Sequence, residues 1–265
     1  MPAFSEIIAT TLKRLIGTPA CPVRVDVCID DDHAEDPFLV PTARRWRHTD
    51  LDALLARTAG RDTVVICQKG KKLSHGVAAW LRAHGADAQV LEGGNNAWRD
   101  AALPCVPAAA IPAPLWVTRH RPKIDRIACP WLIRRFVDPC AQFLFVPPAD
   151  VVEVAQKFNA TPFDVEGVMF THRRTLCTFD TMIAEFGLSH RALDRLALVV
   201  RAADTDDHAA SPQAAGLLAM SVGLSRMNRD DLDQLEAGMA IYDALYRWAR
   251  DGFDETHDWP AGAPQ

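Results

Sequence analysis

The sequence predicts an α/β protein: a parallel sheet with flanking helices, followed by a mostly helical α+β domain. Three observations support this fold class. Short β-branched runs alternate with helical patterns in the first part, a proline-rich stretch interrupts the chain, and most of the remainder has helical spacing. Alternation of strand and helix is typical of parallel sheets, because parallel neighbours need a long crossover connection.

The first part supplies the strands and helices of the parallel sheet in a regular order. The helix over 74–84 begins at a Ser74 cap and ends at Gly85. The predicted elements are a helix over 6–16, a strand over 23–27, a helix over 50–57, a strand over 63–66, the helix over 74–84 and a strand over 88–91.

A stretch with repeated prolines and small residues, Leu103–Pro114, cannot hold a helix or a central strand. We therefore predict a first domain over 1–108, an extended linker over 109–114 and a second domain over 115–265. Within the second domain the patterns predict strands over 115–118, 143–146 and 165–172, and helices over 125–136, 150–158, 179–186, 190–202, 213–222 and 230–250.

Composition limits the function classes. The 265 residues carry a net charge of −5, which gives no general case for nucleic-acid binding, and no direct DNA binding is expected. No apolar run is long enough to span a bilayer, and the N-terminal residues do not resemble a signal peptide. Seven scattered cysteines without a CxxC pair indicate reduced thiols. A cytoplasmic protein without a membrane partner is predicted.

One cysteine stands between a buried strand and a helix. Cys67 follows the apolar run 63–66 and precedes a loop with three lysines. Backbone N–H groups and the helix dipole favour a thiolate at such a place and can bind an anion beside it. The sequence therefore predicts a nucleophilic Cys67 in an anion-binding loop formed by Gln68, Lys69, Gly70, Lys71, Lys72, Leu73 and Ser74. A buried structural cysteine at a strand end is the alternative.

Residues 5–107 resemble the rhodanese family. Cys67 matches the sulfur-carrying cysteine of the family's CxxGxRS loop, and Gly70 matches its glycine. The run Leu91–Trp98 matches the closing LxGGxxxW signature, and Asp26 matches the aspartate of the D-V-R element. The resemblance implies a rhodanese-like sheet and a sulfurtransferase in which Cys67 takes a sulfur atom from thiosulfate or a similar donor, and a thiophilic acceptor then removes it. No cofactor is required for this transfer.

Two departures from the rhodanese pattern leave the substrate open. Cys28 replaces the arginine of the D-V-R element. The loop Cys67–Leu73 is also one residue longer than in most sulfurtransferases, as in related phosphatases and arsenate reductases that bind tetrahedral oxyanions. Because lysines stand here where those loops carry an arginine, phosphatase chemistry is disfavoured.

The second part resembles the C-terminal domain of the chromate-resistance B proteins over residues 115–250. The run RPKIDRIACPWLIRRF at 121–136 carries most of this resemblance. The basic residues in and just before this run could bind an oxyanion such as chromate or a phosphate-bearing ligand, or could form a solvated basic face; they are Arg119, Arg121, Lys123 and Arg126.

A divalent metal site is a further hypothesis for the second domain. His172, Asp180 and Asp204 offer an imidazole and two carboxylates, which suit a hard or borderline ion. Satisfied structural polar residues are the alternative. Cys129 and Cys177 are either redox partners of each other or of Cys67, or buried inert thiols.

Together, the surroundings of Cys67 and the two resemblances imply a persulfide-forming sulfurtransferase linked to resistance against chromate and oxidative stress. The alternatives are a sensor that binds a chromate-like oxyanion and a protein whose thiol handles such an oxyanion.

Overall fold

The computed structural model describes residues 5–255. Residues 1–4 and 256–265 lie outside it; they are the ends of the two predicted domains, and the first four belong to the stretch on which the prediction of no signal peptide depends. The strands are β1 Glu6–Ile7, β2 Val23–Asp26, β3 Phe38–Leu39, β4 Arg44–Arg45, β5 Thr63–Ile66, β6 Ala88–Leu91, β7 Val106–Pro107, β8 Leu115–Arg119, β9 Gln142–Val146 and β10 Thr161–Pro162. The α-helices are α1 Ala9–Leu15, α2 Asp30–Glu35, α3 Leu51–Thr58, α4 Lys72–Ala83, α5 Gly94–Asp100, α6 Asp125–Leu132, α7 Val151–Phe158, α8 Thr178–Glu185, α9 Arg191–Asp204, α10 Ala214–Met227 and α11 Asp231–Arg247.

The first part forms a parallel sheet, as predicted. Its strand order is β1-β6-β5-β2-β4, and every pairing in it is parallel. All four residues of the central strand β5 are buried, which explains its unbroken apolar and β-branched sequence. The fold class of this part is therefore confirmed.

The start of the chain differs from the prediction. Glu6 and Ile7 pair with Val90 and Leu91 as an edge strand, and the helix begins only at Ala9. Helical spacing of the apolar residues also fits this short strand, because two residues are too few to reveal a strand period.

The connections after β2 and β5 lead towards opposite edges of the sheet. From β5 the chain passes through α4 to β6, whereas from β2 it leads towards β4 at the far edge. Open α/β sheets commonly bind ligands at the carboxyl ends of two strands whose connections diverge in this way. Cys67 comes directly after β5, and Cys28 is the second residue after β2.

The prediction that Ser74 caps α4 is wrong. The helix begins at Lys72 with Lys71 as its N-cap residue, so the segment between β5 and α4 is Cys67–Lys71. Ser74 lies within the first turn and is fully buried, and its hydroxyl donates to the carbonyl of Lys71 at 3.1 Å. A serine can bond to the backbone in this way as well as cap a helix, so its presence does not fix the helix start.

The second part is mostly helical, as predicted. A small parallel sheet of order β10-β8-β9 contacts α7 and α11, and helices α6 and α8–α11 pack against one another. Helix α6 continues as a π-helical turn over Ile133–Val137. The predicted strand over 165–172 is wrong: the segment is a loop that contains Gly167 at φ +78° and makes one isolated bridge, between Phe170 and Phe163.

Both parts of the chain contribute to one large apolar cluster, which includes Leu12 and Trp98 from the first part and Trp131 and Tyr246 from the second. Gly17, at φ +82°, lies so close to the second part that a Cβ there would be 2.5 Å from Tyr246 Cε1. None of the helices within residues 5–255 is both long and apolar enough to cross a membrane.

Candidate functional site

Cys67 lies at the carboxyl end of the central strand β5, next to the end of β2. Its side chain is only 6% exposed, and its Sγ lies 3.1 Å from Ser74 Oγ. A thiolate sulfur can only accept, so in a Cys67 thiolate the one hydroxyl proton of Ser74 would have to turn from the carbonyl of Lys71 to the sulfur, where it would stabilise the negative charge. The geometry thus gives Cys67 a polar partner that the sequence patterns did not reveal.

Two glycines hold the Cys67 loop against the start of α5. A Cβ at Gly70, where φ is +59°, would lie 2.5–2.7 Å from Leu91 O, Gly93 N and Gly94 N. A Cβ at Gly94, where φ is +61°, would lie under 3.0 Å from backbone atoms of the Cys67 loop. Both positions require glycine, because their backbone is left-handed and because two segments of the chain approach each other closely there. The two glycine signatures thus form one packed unit.

Asn95 binds the carboxylate of Asp26, the aspartate of the D-V-R element in which Cys28 stands in place of arginine. The buried carboxylate of Asp26 accepts hydrogen bonds from Asn95 Nδ2 at 2.9 Å and from the backbone N–H of Cys28 at 2.8 Å. The backbone N–H of Asn95 donates to Cys67 O at 3.0 Å. Asn95 therefore links the loop after β5 to the end of β2 by hydrogen bonds. The position of Asn95 directly after two glycines could have suggested this role.

Cys28, just after β2, lies in surroundings that favour the neutral thiol. Burial, together with the negative charge of Asp26, raises the pKa of this thiol above its ordinary value. Asn95 Nδ2 also lies 3.4 Å from Cys28 Sγ. These surroundings make Cys28 the less suitable of the two thiols for nucleophilic chemistry.

The remaining loop residues surround Cys67 unequally. Lys69, Lys71 and Lys72 are exposed, whereas Gln68 and Leu73 are half-buried and Gly70 is buried. Exposed ammonium groups raise the local concentration of anions without fixing one geometry. Anion binding by this loop stays a prediction.

The four basic residues of the second part separate into different environments. Arg119 Nη2 and Arg126 Nε lie 2.7 Å and 3.4 Å from Asp164 Oδ2. Arg121 instead bonds to helix α10, with its Nη2 2.9 Å from Ser225 Oγ. Lys123 is half-buried and makes no ion pair with the residues that the structure describes. Of the predicted set, the structure thus brings only Arg119 and Arg126 together.

His172 lies among three carboxylates. Its Nε2 is 3.5 Å from Asp125 Oδ2, 3.5 Å from Asp164 Oδ1 and 3.2 Å from Asp204 Oδ2. Asp125 is 1% exposed, while the His172 side chain is 42% exposed and opens the cluster to solvent. Asp125, Asp164 and His172 offer ligand atoms that all lie within 4.8 Å of one another, so they could hold a metal ion.

Of the three predicted metal ligands, His172 and Asp204 lie together, whereas Asp180 is held elsewhere. The carboxylate of Asp180 accepts from Arg201 Nη1 at 2.5 Å and from the backbone N–H of Cys177 at 3.1 Å. Sequence reasoning missed Asp125 and Asp164. Asp125 could have been found, because it is the one acidic residue in the run 121–136.

The residues of the His172 cluster shift one another's pKa values. Hydrogen bonds to Asp125 and Asp164 raise the pKa of His172 to about 10. Burial and the like charges of Asp125 and Asp164 raise the pKa of Asp204 to about 7. Burial also raises the pKa of Asp125. For Asp164 burial acts in the same direction, but bonds from His172 and Arg119 outweigh it and lower the pKa.

The two predicted redox cysteines of the second part lie in its core. Cys129 and Cys177 are both fully buried. Burial raises the pKa of each thiol above its ordinary value, and the charge of Asp125 acts in the same direction. These surroundings favour the inert alternative.

Comparison with known proteins classifies the second part. Residues 116–249, about half of the chain, match the family model described as "ChrB, C-terminal domain". The chain belongs to this family. The ChrB C-terminal domain match contains Arg119, Arg126 and the whole His172 cluster, whereas Cys67 lies outside it.

Protein ChrB of Cupriavidus metallidurans is 36% identical over 133 residues, which are 49% of this chain and 39% of that protein. The chain therefore spans well under two thirds of this relative.

Three solved structures resemble a smaller share of the chain. A protein of Staphylococcus saprophyticus is 25% identical and covers 36% of this chain and 93% of its own, with a TM-score of 0.32. A rhodanese-like domain protein of Staphylococcus aureus is 28% identical over 36% of this chain and 91% of its own, with a TM-score of 0.32. A thiosulfate sulfurtransferase of Pseudomonas aeruginosa is 26% identical over 39% of this chain and 19% of its own, with a TM-score of 0.33.

Proposed function

We propose that this protein is a sulfurtransferase that carries a persulfide on Cys67. The observation that carries the proposal is the place of this thiol: the carboxyl end of a central parallel strand, 3.1 Å from the hydroxyl of Ser74. The loop that presents the thiol is held in one conformation by Gly70 and Gly94, both of which have positive φ. A positioned thiolate with a hydrogen-bond donor is the arrangement that nucleophilic catalysis needs.

The proposed reaction has two steps. The Cys67 thiolate attacks the outer sulfur of thiosulfate, an S–S bond forms to Cys67, and the S–S bond of thiosulfate breaks to release sulfite. The Ser74 hydroxyl and the loop lysines stabilise the negative charge of the persulfide. A thiophilic acceptor, such as a small thiolate or cyanide, then takes the outer sulfur and restores Cys67. No cofactor takes part in either step.

The cellular role that we propose is resistance to chromate or oxidative stress in the cytoplasm. This part of the proposal depends on the family of the second part and on its resemblance to chromate-resistance proteins. All seven cysteines are free thiols, which agrees with a reducing compartment. The alternative role, binding or thiol-dependent handling of a chromate-like oxyanion at Cys67, needs the same thiol but no sulfur transfer.

The cofactor proposal concerns the second part alone. We propose that Asp125, Asp164 and His172, with Asp204 beside them, bind a divalent cation. One imidazole and several carboxylates suit Mn²⁺ and similar borderline ions. This set keeps His172 and Asp204 from the sequence-based prediction, omits Asp180 and adds Asp125 and Asp164.

The experiment for the main proposal is intact-protein mass spectrometry after incubation with thiosulfate. Wild-type protein should gain the mass of one sulfur atom, and a reducing thiol should remove it. Cys67→Ser should gain none, whereas Cys140→Ser, which removes an exposed thiol, should behave as wild type. A sulfur adduct that survives in Cys67→Ser would contradict the assignment, and chromate binding without any adduct would favour the alternative.

A further inference from the structure

A cavity of about 580 Å³ lies between the two parts of the chain, away from the Cys67 loop. Its wall contains seven arginines and no aspartate or glutamate. The first part contributes residues of β2, β4 and α3, and the second contributes the end of the α6 segment and the start of β9. We call it the arginine cavity.

Three of these arginines have no carboxylate partner within residues 5–255. Arg44, Arg45, Arg134 and Arg135 each form an ion pair with an acidic residue outside the cavity wall. The other three arginines, which are Arg24, Arg57 and Arg61, form none in this part of the chain. The arginine cavity therefore has an excess of positive charge that the described protein does not neutralise.

Of the three arginines, Arg24 gives the strongest indication of a missing anion, because it is the buried one. It is 5% exposed, and its Nη1 contacts only the sulfur of Cys21 and the carbonyl of Pro22, while its Nε has no partner. Burial lowers the pKa of Arg24, and the like charge of Arg61 acts in the same direction. A buried cation with neutral partners is costly to fold, because proteins normally pair buried charges.

We propose that the arginine cavity binds a small, multiply charged anion that presents tetrahedral oxyanion groups, such as inorganic phosphate or sulfate or a phosphate ester. Guanidinium groups bind such oxygens through two parallel hydrogen bonds, which makes arginine the preferred residue for phosphate recognition. The bound anion would supply the negative charge that Arg24, Arg57 and Arg61 lack.

The size of the cavity favours a small ligand. Small-molecule sites commonly have volumes of roughly 300–1,000 Å³, and the arginine cavity lies within this range. Trp46 also lines the wall and could contact the body of an ester. None of the residues Cys67–Ser74 lines the cavity, so this site goes beyond the sulfur transfer proposed above and can be tested separately from it.

The test is isothermal titration calorimetry on the full-length protein in a chloride buffer of low ionic strength. The probes are sulfate, inorganic phosphate and ADP. Arg57 and Arg61 are exposed, so Arg57→Ala and Arg61→Ala should fold normally. Arg226→Ala is the matched control, because Arg226 is also an exposed arginine at a helix but lies outside the cavity.

Wild-type protein and Arg226→Ala should bind one anion per chain with equal affinity. Arg57→Ala and Arg61→Ala should each weaken binding by about tenfold or more, since each removes a charge-assisted hydrogen bond. Tighter binding of ADP than of phosphate would identify a phosphate ester as the ligand, and equal binding would identify a free oxyanion.

Arg24→Met provides a second readout with the opposite sign. It should abolish binding, yet its melting temperature in chloride should equal or exceed that of wild type, because an unpaired buried charge is gone. The proposal is overturned if none of the three probes binds to wild type at millimolar concentration. It is equally overturned if Arg61→Ala binds as tightly as Arg226→Ala.

Discussion

Replacing Gly94 by alanine should both destabilise the protein and disturb the Cys67 loop. The new Cβ would lie under 3.0 Å from Cys67 O, Gly70 N and Gln68 O. All three are backbone atoms that cannot rotate away, so overpacking should cost about 1–3 kcal/mol. The residue would also hold φ at +61°. The left-handed backbone costs an L-residue about 1–2 kcal/mol more.

The sum, about 2–5 kcal/mol, is a large part of the roughly 5–15 kcal/mol that stabilises a typical domain. Two control glycines separate the contributions. Gly85 has φ +84° and nothing within 4 Å of its Cβ position, so Gly85→Ala should show the backbone cost alone. Gly76, inside α4, has neither problem. Gly76→Ala should stabilise the protein by about 0.5–1 kcal/mol, because alanine favours the helix.

Urea unfolding of the three variants measures these free energies directly. The persulfide assay should follow the same order, with Gly94→Ala losing sulfur loading and Gly85→Ala retaining it. If Gly94→Ala is no less stable than Gly85→Ala, the close packing of Gly94 against the Cys67 loop does not stabilise that loop.

Two further predictions concern the second part. Wild-type protein should bind one Mn²⁺ per chain, seen as loss of the free-ion EPR signal. His172→Ala should weaken binding by more than about tenfold, because even outer-shell partners matter that much; Asp204→Asn should weaken it without loss of fold, and the matched control His208→Ala should bind as wild type. Unchanged Mn²⁺ binding in His172→Ala would refute the cluster as a metal site. His190 donates from Nδ1 to Leu188 O and accepts at Nε2 from Tyr246, and burial lowers its pKa. The unfolded chain therefore binds a proton that the folded chain does not, so stability should fall below about pH 6.5, by at most about 1.4 kcal/mol per pH unit. His190→Gln should reduce this slope in urea titrations at several pH values, and an equal slope would contradict the assignment.

The features that could be predicted from the sequence are those whose physical cause is local. The β-branched run 63–66 predicts a buried strand, and the glycines after β6 predict a tight turn. The position of Cys67 at the carboxyl end of β5 follows from the first of these predictions. Helix α11 was equally readable from the spacing of its apolar residues.

Features that depend on the fold were not readable. Asp125, Asp164 and His172 come from three separate segments, and only tertiary packing brings them together. The arginine cavity likewise collects Arg24 and Arg61 with residues far along the chain. Sequence spacing carries no information on such meetings, because nothing local constrains them.

Other errors arose where two structures share one local pattern. Ser74 could cap a helix or bond within its first turn, and the segment 165–172 was apolar enough for a strand although Gly167 bends it. In both places the packing of the surrounding elements, rather than local preference, decides the outcome.

The most direct test of the sulfurtransferase proposal is the mass of the intact protein after thiosulfate treatment, followed by peptide mapping of the adduct. The account predicts one additional sulfur atom, located on Cys67, reversible by a reducing thiol and absent from Cys67→Ser. No adduct on wild-type protein, or an adduct on another cysteine while Cys67 stays a free thiol, would contradict it.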